Sequence, residues 1–426
     1  MSTDTTPRTS PAEPAGFTGP RGGRLARSLR GRRSSGGTSA RADRAARTQR
    51  ASPSTTSRGA ALAAIYCPTS SAIHPAADEI DDRTVQWLTD HGLYADDRQL
   101  SRLRRARPGL LAARVAPHGR RERLQVFADF HTWLFAFDDE YCDEDSPSAM
   151  PIDEWMIFLA KLHRQIETGT NQLPLRGAYG SALQDVSRRL DEFCTAEQKV
   201  RWLSALQSYF HALVWEAQSR RATRRGRGAL SLDDYALLRL RNGAMQSSIA
   251  LLDMVNGYFL PTEQRESPAV RALIEMTAIL VSWDNDIFSW HKEQSRRRCQ
   301  KNLLDVLGDA SPRGDVVGEA VRLRNSVMAG FVELSESVSR HCSGELSEFT
   351  RSLHHWVRAN LDFSCVTARY ADPSRPAGNL DWAATSPASS SRSLPLLQPM
   401  RWWADVVPSL MDPALAPTGV TASGSA

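Results

Sequence analysis

An all-α fold is what the sequence predicts, and three observations carry that reading. Between about residues 61 and 372 apolar side chains recur at spacings of three and four, alternating strand-like runs and Asn-Gly hairpin turns are scarce, and no repeat of fixed period suggests a stacked array. The chain has 426 residues, 41% hydrophobic and 8% aromatic, enough to bury a sizeable core. One helical domain over 61–372 is therefore expected, with helices roughly at 78–91, 120–142, 153–169, 178–193, 196–224, 231–257, 267–294, 315–340 and 345–371.

The flanks read differently. Residues 1–60 are rich in Arg, Ser, Thr, Pro, Gly and Ala and nearly devoid of large apolar side chains, so they cannot bury enough surface to offset the entropy of ordering. A disordered arm is expected there. Residues 373–426 are similar in composition and are expected to be mostly disordered, although "PMRWWADVVPSLM" within them could dock.

Charge and cysteine content exclude several classes. Met1 to Arg58 holds 12 Arg and three acids, a net of +9 against +5 for the whole chain, so the remainder carries −4. That sign is wrong for a nucleic-acid-binding domain and tolerable for a site that collects divalent cations. Six scattered Cys without a CxxC pair indicate neither a zinc site nor a disulfide framework, and a reducing cytoplasm fits them. Arg32-Arg33 is not followed by the apolar segment an export signal needs, and no apolar run is long enough to span a bilayer.

Two segments carry the chemistry. "RRERLQVFADFHTWLFAF" (120–137) is apolar on most faces by its C-terminal half, as a buried helix is, and runs directly into "DDEYCDEDS". Asp139 and Asp143 are four apart and would share a helix face, where their repulsion is destabilising unless a cation offsets it. Hard oxygen ligands of this kind suit Mg²⁺, which favours a few carboxylates plus substrate phosphates. An isolated acidic run at a helix end is ordinarily a solvated turn. The second segment, "ILVSWDNDIFSWHKEQSRRR", changes that reading: Asn285, Ser289 and Glu293 are spaced by four and four, projecting an amide oxygen, a hydroxyl and a carboxylate from one stripe, with Lys292 beside them to meet a phosphate.

Together these segments resemble the aspartate-rich motif and the second metal motif of bacterial class I terpene synthases (terpene cyclases). The resemblance implies a single-domain helical bundle around a central apolar cavity, with the two motifs facing each other across its mouth and holding three Mg²⁺ ions on a prenyl diphosphate. Asp138 then matches the first aspartate ligand, with Asp139 and Asp143 as supporting candidates, and Asn285, Ser289 and Glu293 match the second motif. Lys292 matches a diphosphate contact. "YALLRLRNGA" is similar to the segment with a diphosphate-sensing Arg, a linker and a small effector, here Arg239, Asn242 and Gly243. The linker is usually Asp; Asn242 can still accept a hydrogen bond but supplies no charge to Arg239. "ARYADP" matches a terminal pair, Arg369 and Tyr370, that contacts diphosphate. One departure lies in the first motif, where Cys142 occupies the position of the usual third acid and the acid follows at Asp143.

Ordinary readings stand beside these. Arg239 could pair with Asp233 or Asp234, and Arg241 competes for the sensor role. Trp356, Phe363 and Tyr370 recur every seven residues, the spacing of a core stripe, or of a cavity wall. His131 and His291 are read as structural, because Mg²⁺ does not favour imidazole.

The reaction the resemblance implies is metal-dependent ionisation and cyclisation of a prenyl diphosphate, with farnesyl diphosphate ranked first. A monoterpene-type cyclase acting on geranyl or 2-methylgeranyl diphosphate is the alternative, since "IYCPTSSAIHP" and the proline-containing arm are reminiscent of 2-methylisoborneol synthases. A chain-elongating prenyltransferase would carry a second aspartate-rich motif, and a proton-initiated cyclase a DxDD motif, which is absent. A non-catalytic helical scaffold is the remaining class, against which the complete Asn285, Ser289 and Glu293 set argues. A cytoplasmic monomer or homodimer is expected, with no nucleic-acid partner.

Overall fold

The computed structural model describes residues 62, 64–142, 150–169, 177–226, 230–295, 302–310, 315–342, 344–370, 382–385 and 397–407. The chain divides into Met1–Ser52 and Pro53–Ala426, and every described residue lies in the second unit. The arm expected over 1–60 lies outside the described residues.

Helices account for nearly all of the described regular structure. In chain order they are α1 (Ala77–Asp90), α2 (Asp97–Ala106), α3 (Pro108–Val115), α4 (Arg121–Phe137), α5 (Ile152–Thr168), α6 (Tyr179–Leu190), α7 (Ala196–Arg224), α8 (Leu232–Asn242), α9 (Met245–Ile249), α10 (Leu252–Asn256), α11 (Thr262–Arg265), α12 (Pro268–Ser295), α13 (Leu303–Ala310), α14 (Val316–His341) and α15 (Glu345–Val366). A π-helical turn, Asp138–Cys142, follows α4, and a 3₁₀ turn, Ala368–Tyr370, follows α15. Among the described residues the extended structure is one parallel bridge between Tyr66 and Ala383.

Two helices occupy the middle of the packing. On α4 every residue from Leu124 to Trp133 is buried, and α12 buries Trp283, Asp284, Asp286, Ile287 and Phe288 as it packs against α14 and α15. Such all-round burial is the expected behaviour of helices that are apolar on most faces. Below the π turn, Tyr141 packs against Phe137, Trp155, Phe158 and Tyr179, with ring centroids 5.0 to 5.8 Å apart. Burial of these rings fixes where the acidic turn sits.

The structure departs from the sequence reading in three places. The helix expected over 231–257 is broken into α8, α9 and α10; the α8–α9 break falls where Ala244 takes a left-handed conformation (φ 56°) just after Gly243. Such a conformation costs a β-carbon-bearing residue about 1–2 kcal/mol, so surrounding packing must hold it. The last helix, expected to reach 371, ends at Val366, where Thr367 turns extended. Helices α2, α3, α13 and the four-residue α11 were not anticipated. On α2 only Gln99, Leu103 and Ala106 are buried, too thin a stripe to stand out amid four arginines, and α3 and α13 have eight residues each.

Parts of the expected C-terminal tail pack on the bundle. Trp382 donates to Asp362 Oδ1 at 3.1 Å, and Cys67 N–H donates to Ala383 O at 3.0 Å. A 3₁₀ helix, Gln398–Asp405, buries Met400 and Trp403, and Trp402 and Trp403 both donate to Glu275 Oε2, at 3.1 and 3.0 Å. The aromatic content of "PMRWWADVV" explains the docking. Among the described residues no helix is long and apolar enough to cross a membrane.

Candidate active site

One cavity gathers most of the residues singled out in the sequence. Its lining includes Asp138 and Asp139 from the π turn, Arg239, Asn242 and Gly243 from the α8–α9 junction, Asn285, Ser289 and Glu293 from α12, and Arg369 and Tyr370 from the 3₁₀ turn. The helical spacing of four does place the α12 donors on one stripe. Asp143 lies outside the described residues, and so does the side chain of Lys292, whose backbone belongs to α12. Cys142 is buried and also lines the cavity.

The acidic wall is held by arginines. Asp138, half exposed, accepts from Arg369 Nη2 at 2.8 Å; Asp139, nearly buried, accepts from Arg369 Nη1 at 2.9 Å and from Arg102 Nε at 3.2 Å. Arg369 also lies over the Phe135 ring, 5.1 Å from its centroid. Burial opposes the Arg369 charge, but Asp139, Tyr370 and Asp138 outweigh it and hold the guanidinium pKa above its ordinary value.

A second group of lining residues forms a network on α8, α12 and α13. Ser289 Oγ donates to Glu293 Oε1 at 2.6 Å, and Asn302 Nδ2 donates to Glu293 Oε2 at 3.0 Å. Burial pushes the Glu293 carboxyl above its usual range, Ser289 partly offsets this, and the Asp286 charge adds to it. Asn285 Nδ2 donates to Tyr370 Oη. Arg239 donates from Nη2 to Asp286 Oδ1 at 2.8 Å and to the Ser282 carbonyl at 3.0 Å, and from Nη1 to Asn242 Oδ1 at 3.2 Å. The amide at the linker position therefore serves as an acceptor. Asp233 instead accepts from Gln398 N and Asp234 from Ser231, while Arg241 points to Ser208, which leaves Arg239 as the arginine of this segment that lines the cavity.

Gly243 has a steric reason to be glycine. A β-carbon there would lie 2.6 Å from Ser282 Oγ, so α8 and α12 could not approach as closely.

Sequence reasoning missed several members of the site. Asp286 lies inside the quoted motif, yet one residue on from Asn285 is a rotation of about 100° off the ligand stripe; its carboxylate faces Arg239 and Tyr235 rather than a ligand. Asn302 lies in "KNLLDVL", a segment similar to the family's whose residues carry no spacing that points to a catalytic role. Glu216 and Arg220 line the cavity from α7, paired at 3.1 Å, four apart in sequence.

Divalent metal fits this donor set. Among the described residues no three His, Cys, Asp or Glu side chains cluster as ligands. The donors are instead all oxygens, split between Asp138 and Asp139 on one wall and Asn285, Ser289 and Glu293 on the other, the chemistry of Mg²⁺ rather than of zinc. The buried Nε–H of Arg239 has no hydrogen-bond partner in the structure, an orphaned donor at the cavity that an anion would satisfy.

Comparison with known proteins defines the class. The model described as terpene synthase family 2, C-terminal metal binding, matches residues 129–310, the stretch from α4 to α13. The chain belongs to the terpene synthase family, as a bacterial class I enzyme. It is 49% identical over 352 residues to a (+)-T-muurolol synthase ((2E,6E)-farnesyl diphosphate cyclizing) of Streptomyces clavuligerus, a match covering 82% of this chain and 83% of that one. A (+)-(1(10)E,4E,6S,7R)-germacradien-6-ol synthase of Streptomyces pratensis is 33% identical, covering 80% and 95%. Among solved structures, the SVS_A2 protein from ancestral sequence reconstruction is 28% identical with a TM-score of 0.71, over 81% of this chain and 99% of that one. The expected all-α class I fold is thereby confirmed.

Proposed function

We propose that this enzyme ionises and cyclises farnesyl diphosphate, releasing diphosphate and a fifteen-carbon terpene hydrocarbon or alcohol. One observation carries the reading: a single cavity sets Asp138, Asp139 and Arg369 with Asn285, Ser289, Glu293, Arg239 and Tyr370 at its lining, beside a wall of Phe135, Trp356 and Phe363. The farnesyl diphosphate named for the Streptomyces clavuligerus relative supports the chain length.

In this reading Asp138, Asp139, Asp143, Asn285, Ser289 and Glu293 hold Mg²⁺, three ions in all, which when bound neutralises the diphosphate and makes it a competent leaving group. Arg239, with its free Nε–H, Lys292, Arg369 and Tyr370 donate to the departing oxygens, so charge developing there is met by fixed donors. Asp286 and Asn242 orient Arg239. Gly243 lets α8 lie close against α12, which ties the sensor to the ligand stripe. The aromatic wall folds the prenyl chain, excludes water and stabilises the allylic cation through ring faces. The catalytic domain spans 61–372 and works in the cytoplasm as a monomer or homodimer; the free state of the five described cysteines supports that compartment.

Incubation of the purified protein with Mg²⁺ and, separately, farnesyl, geranyl and 2-methylgeranyl diphosphates tests the proposal. Farnesyl diphosphate is expected to give the fastest diphosphate release and a cyclic product by gas chromatography with mass detection, and EDTA to stop it. No release from any of the three sinks the reading. Asn285→Ala is expected to lose at least about 100-fold in rate with its melting temperature retained; full activity in that variant refutes the assignment.

A further inference from the structure

Three polar side chains of the cavity belong to neither wall of the diphosphate site. His131 from α4, Ser248 from α9 and Trp356 from α15 all line it, and they are bonded in series. His131 Nδ1 lies 2.8 Å from the Phe127 carbonyl, His131 Nε2 lies 2.8 Å from Ser248 Oγ, and Trp356 Nε1 donates to Ser248 Oγ at 3.2 Å.

The hydrogen positions follow from these partners. A carbonyl only accepts, so Nδ1 carries the proton of the ring and donates to Phe127 O. Burial lowers the imidazole pKa to about 4, so the ring is neutral and Nε2 keeps its lone pair. Ser248 must then donate its hydroxyl proton to Nε2 while accepting from Trp356. The result is a chain of fixed polarity, from Trp356 through Ser248 and His131 to the Phe127 carbonyl, that leaves the second lone pair of Ser248 Oγ to take a proton, in the cavity that Phe135, Trp356 and Phe363 also line. The rings of Phe127, Phe130 and Trp356 surround the imidazole at centroid distances of 4.2, 6.0 and 5.7 Å, so bulk water does not compete with it. The break at Gly243–Ala244 is what makes the arrangement possible: α9 restarts after it, with Ser247 and Ser248 both buried.

We propose that Ser248 and His131 form the proton acceptor that ends the carbocation cascade. This rests on the function proposed above. A C–H bond next to the cationic carbon breaks, its electron pair becomes the new π bond, and its proton passes to Ser248 Oγ as the Ser248 proton moves to His131 Nε2. Where water has already added to the cation, the proton leaves the oxonium oxygen by the same route and an alcohol results. The imidazolium formed is a strong acid in this buried site and returns its proton, through Ser248, to the diphosphate released by the reaction. A neutral imidazole is base enough, because a carbocation is a far stronger acid than an imidazolium. Trp356 is a positioning residue, since its N–H fixes which way the Ser248 hydroxyl points.

The test counts products per diphosphate released, which separates termination from ionisation. His131→Phe, Ser248→Ala and Trp356→Phe are assayed with Mg²⁺ and farnesyl diphosphate, with folding checked by circular dichroism. The share of the main wild-type product per diphosphate is expected to fall at least fivefold in His131→Phe and in Ser248→Ala, and about twofold in Trp356→Phe, with products terminated at other positions in its place. Ser248→Ala removes one atom and barely alters the cavity shape, so it decides the matter if His131→Phe fails to fold. An unchanged product share in Ser248→Ala, with diphosphate still released, overturns the inference and leaves the proposed function standing. A wild-type protein that releases no diphosphate removes both.

Discussion

Arg369 holds Asp138 and Asp139 at once, one guanidinium nitrogen on each carboxylate at 2.8 and 2.9 Å, across 231 positions of sequence in the first pair. The guanidinium thus occupies the carboxylates that the proposed function assigns to cations. Arg369→Ala is expected to lower diphosphate release about 100-fold, the usual cost of removing one fixed donor from a developing anion. Stability should fall by only about 1–2 kcal/mol, since Arg102 still faces Asp139 and Asp138 is half exposed. Arg369→Lys, a point charge without the fork, should fall between. Steady-state rates and urea denaturation of the three proteins check this.

The contact between Gly243 and Ser282 offers a test that pairs damage with rescue. Gly243→Ala places a β-carbon 2.6 Å from Ser282 Oγ and is expected to destabilise by about 1–3 kcal/mol. Ser282→Ala in the same chain removes the clashing atom, at the cost of one long hydrogen bond to the Arg239 carbonyl (3.4 Å), and should restore most of the loss. Denaturation midpoints of the two single variants and the double variant measure the coupling; purely additive losses would refute it.

Arg324 and Asp284 form an ion pair with no exposed surface on either side chain, and Arg324 also donates to the Tyr66 carbonyl. Arg324→Met leaves the Asp284 carboxylate buried and unpaired, an expected loss of about 3–5 kcal/mol. Arg324→Met with Asp284→Leu removes both charges and should be more stable than the single variant. Urea unfolding of the pair of proteins decides this, and a double variant no better than Arg324→Met would count against it.

A buried imidazole remote from the ligand stripe sets a pH dependence. Burial, with the neighbouring His355, lowers the His354 pKa to about 4 from an ordinary 6.5. Between those values the unfolded chain binds a proton that the folded chain does not, so this residue costs stability as pH falls through that window. On going from pH 7 to pH 5, His354→Leu is expected to lose about 2 kcal/mol less than the wild type. Unfolding free energies of both proteins at the two pH values supply the comparison.

The sequence made the ligand stripe legible because a period of four on a helix is a geometric statement: once α12 is helical, Asn285, Ser289 and Glu293 share a face whatever surrounds them. Asp138 was legible for a related reason, as the first polar residue after a helix buried on all sides. What holds these residues was not legible. Arg369 on Asp138, Asn302 on Glu293 and Asp286 on Arg239 are pairings between elements distant in sequence or off the stripe, and no local period encodes them. The break at Ala244 was hidden because alanine is a good helix former, and only packing against the rest of the bundle keeps it left-handed. His131 shows the opposite limit: rejected as a metal ligand on sound chemistry, it became informative only when Ser248 and Trp356 were found beside it.

The turn Ala368–Tyr370 has a consequence for how the enzyme is made. Its two adjacent residues reach different walls, Arg369 to the acidic turn and Tyr370 to Asn285. A ribosome that has threaded α4 and α12 out of its tunnel has already exposed most of the charged groups of the site, but not the pair that joins them. Synthesis must proceed through Tyr370 before this pair can join the acidic turn to Asn285, so a nascent chain arrested earlier lacks the Arg369 bonds to Asp138 and Asp139, and the completed site arrives late in translation.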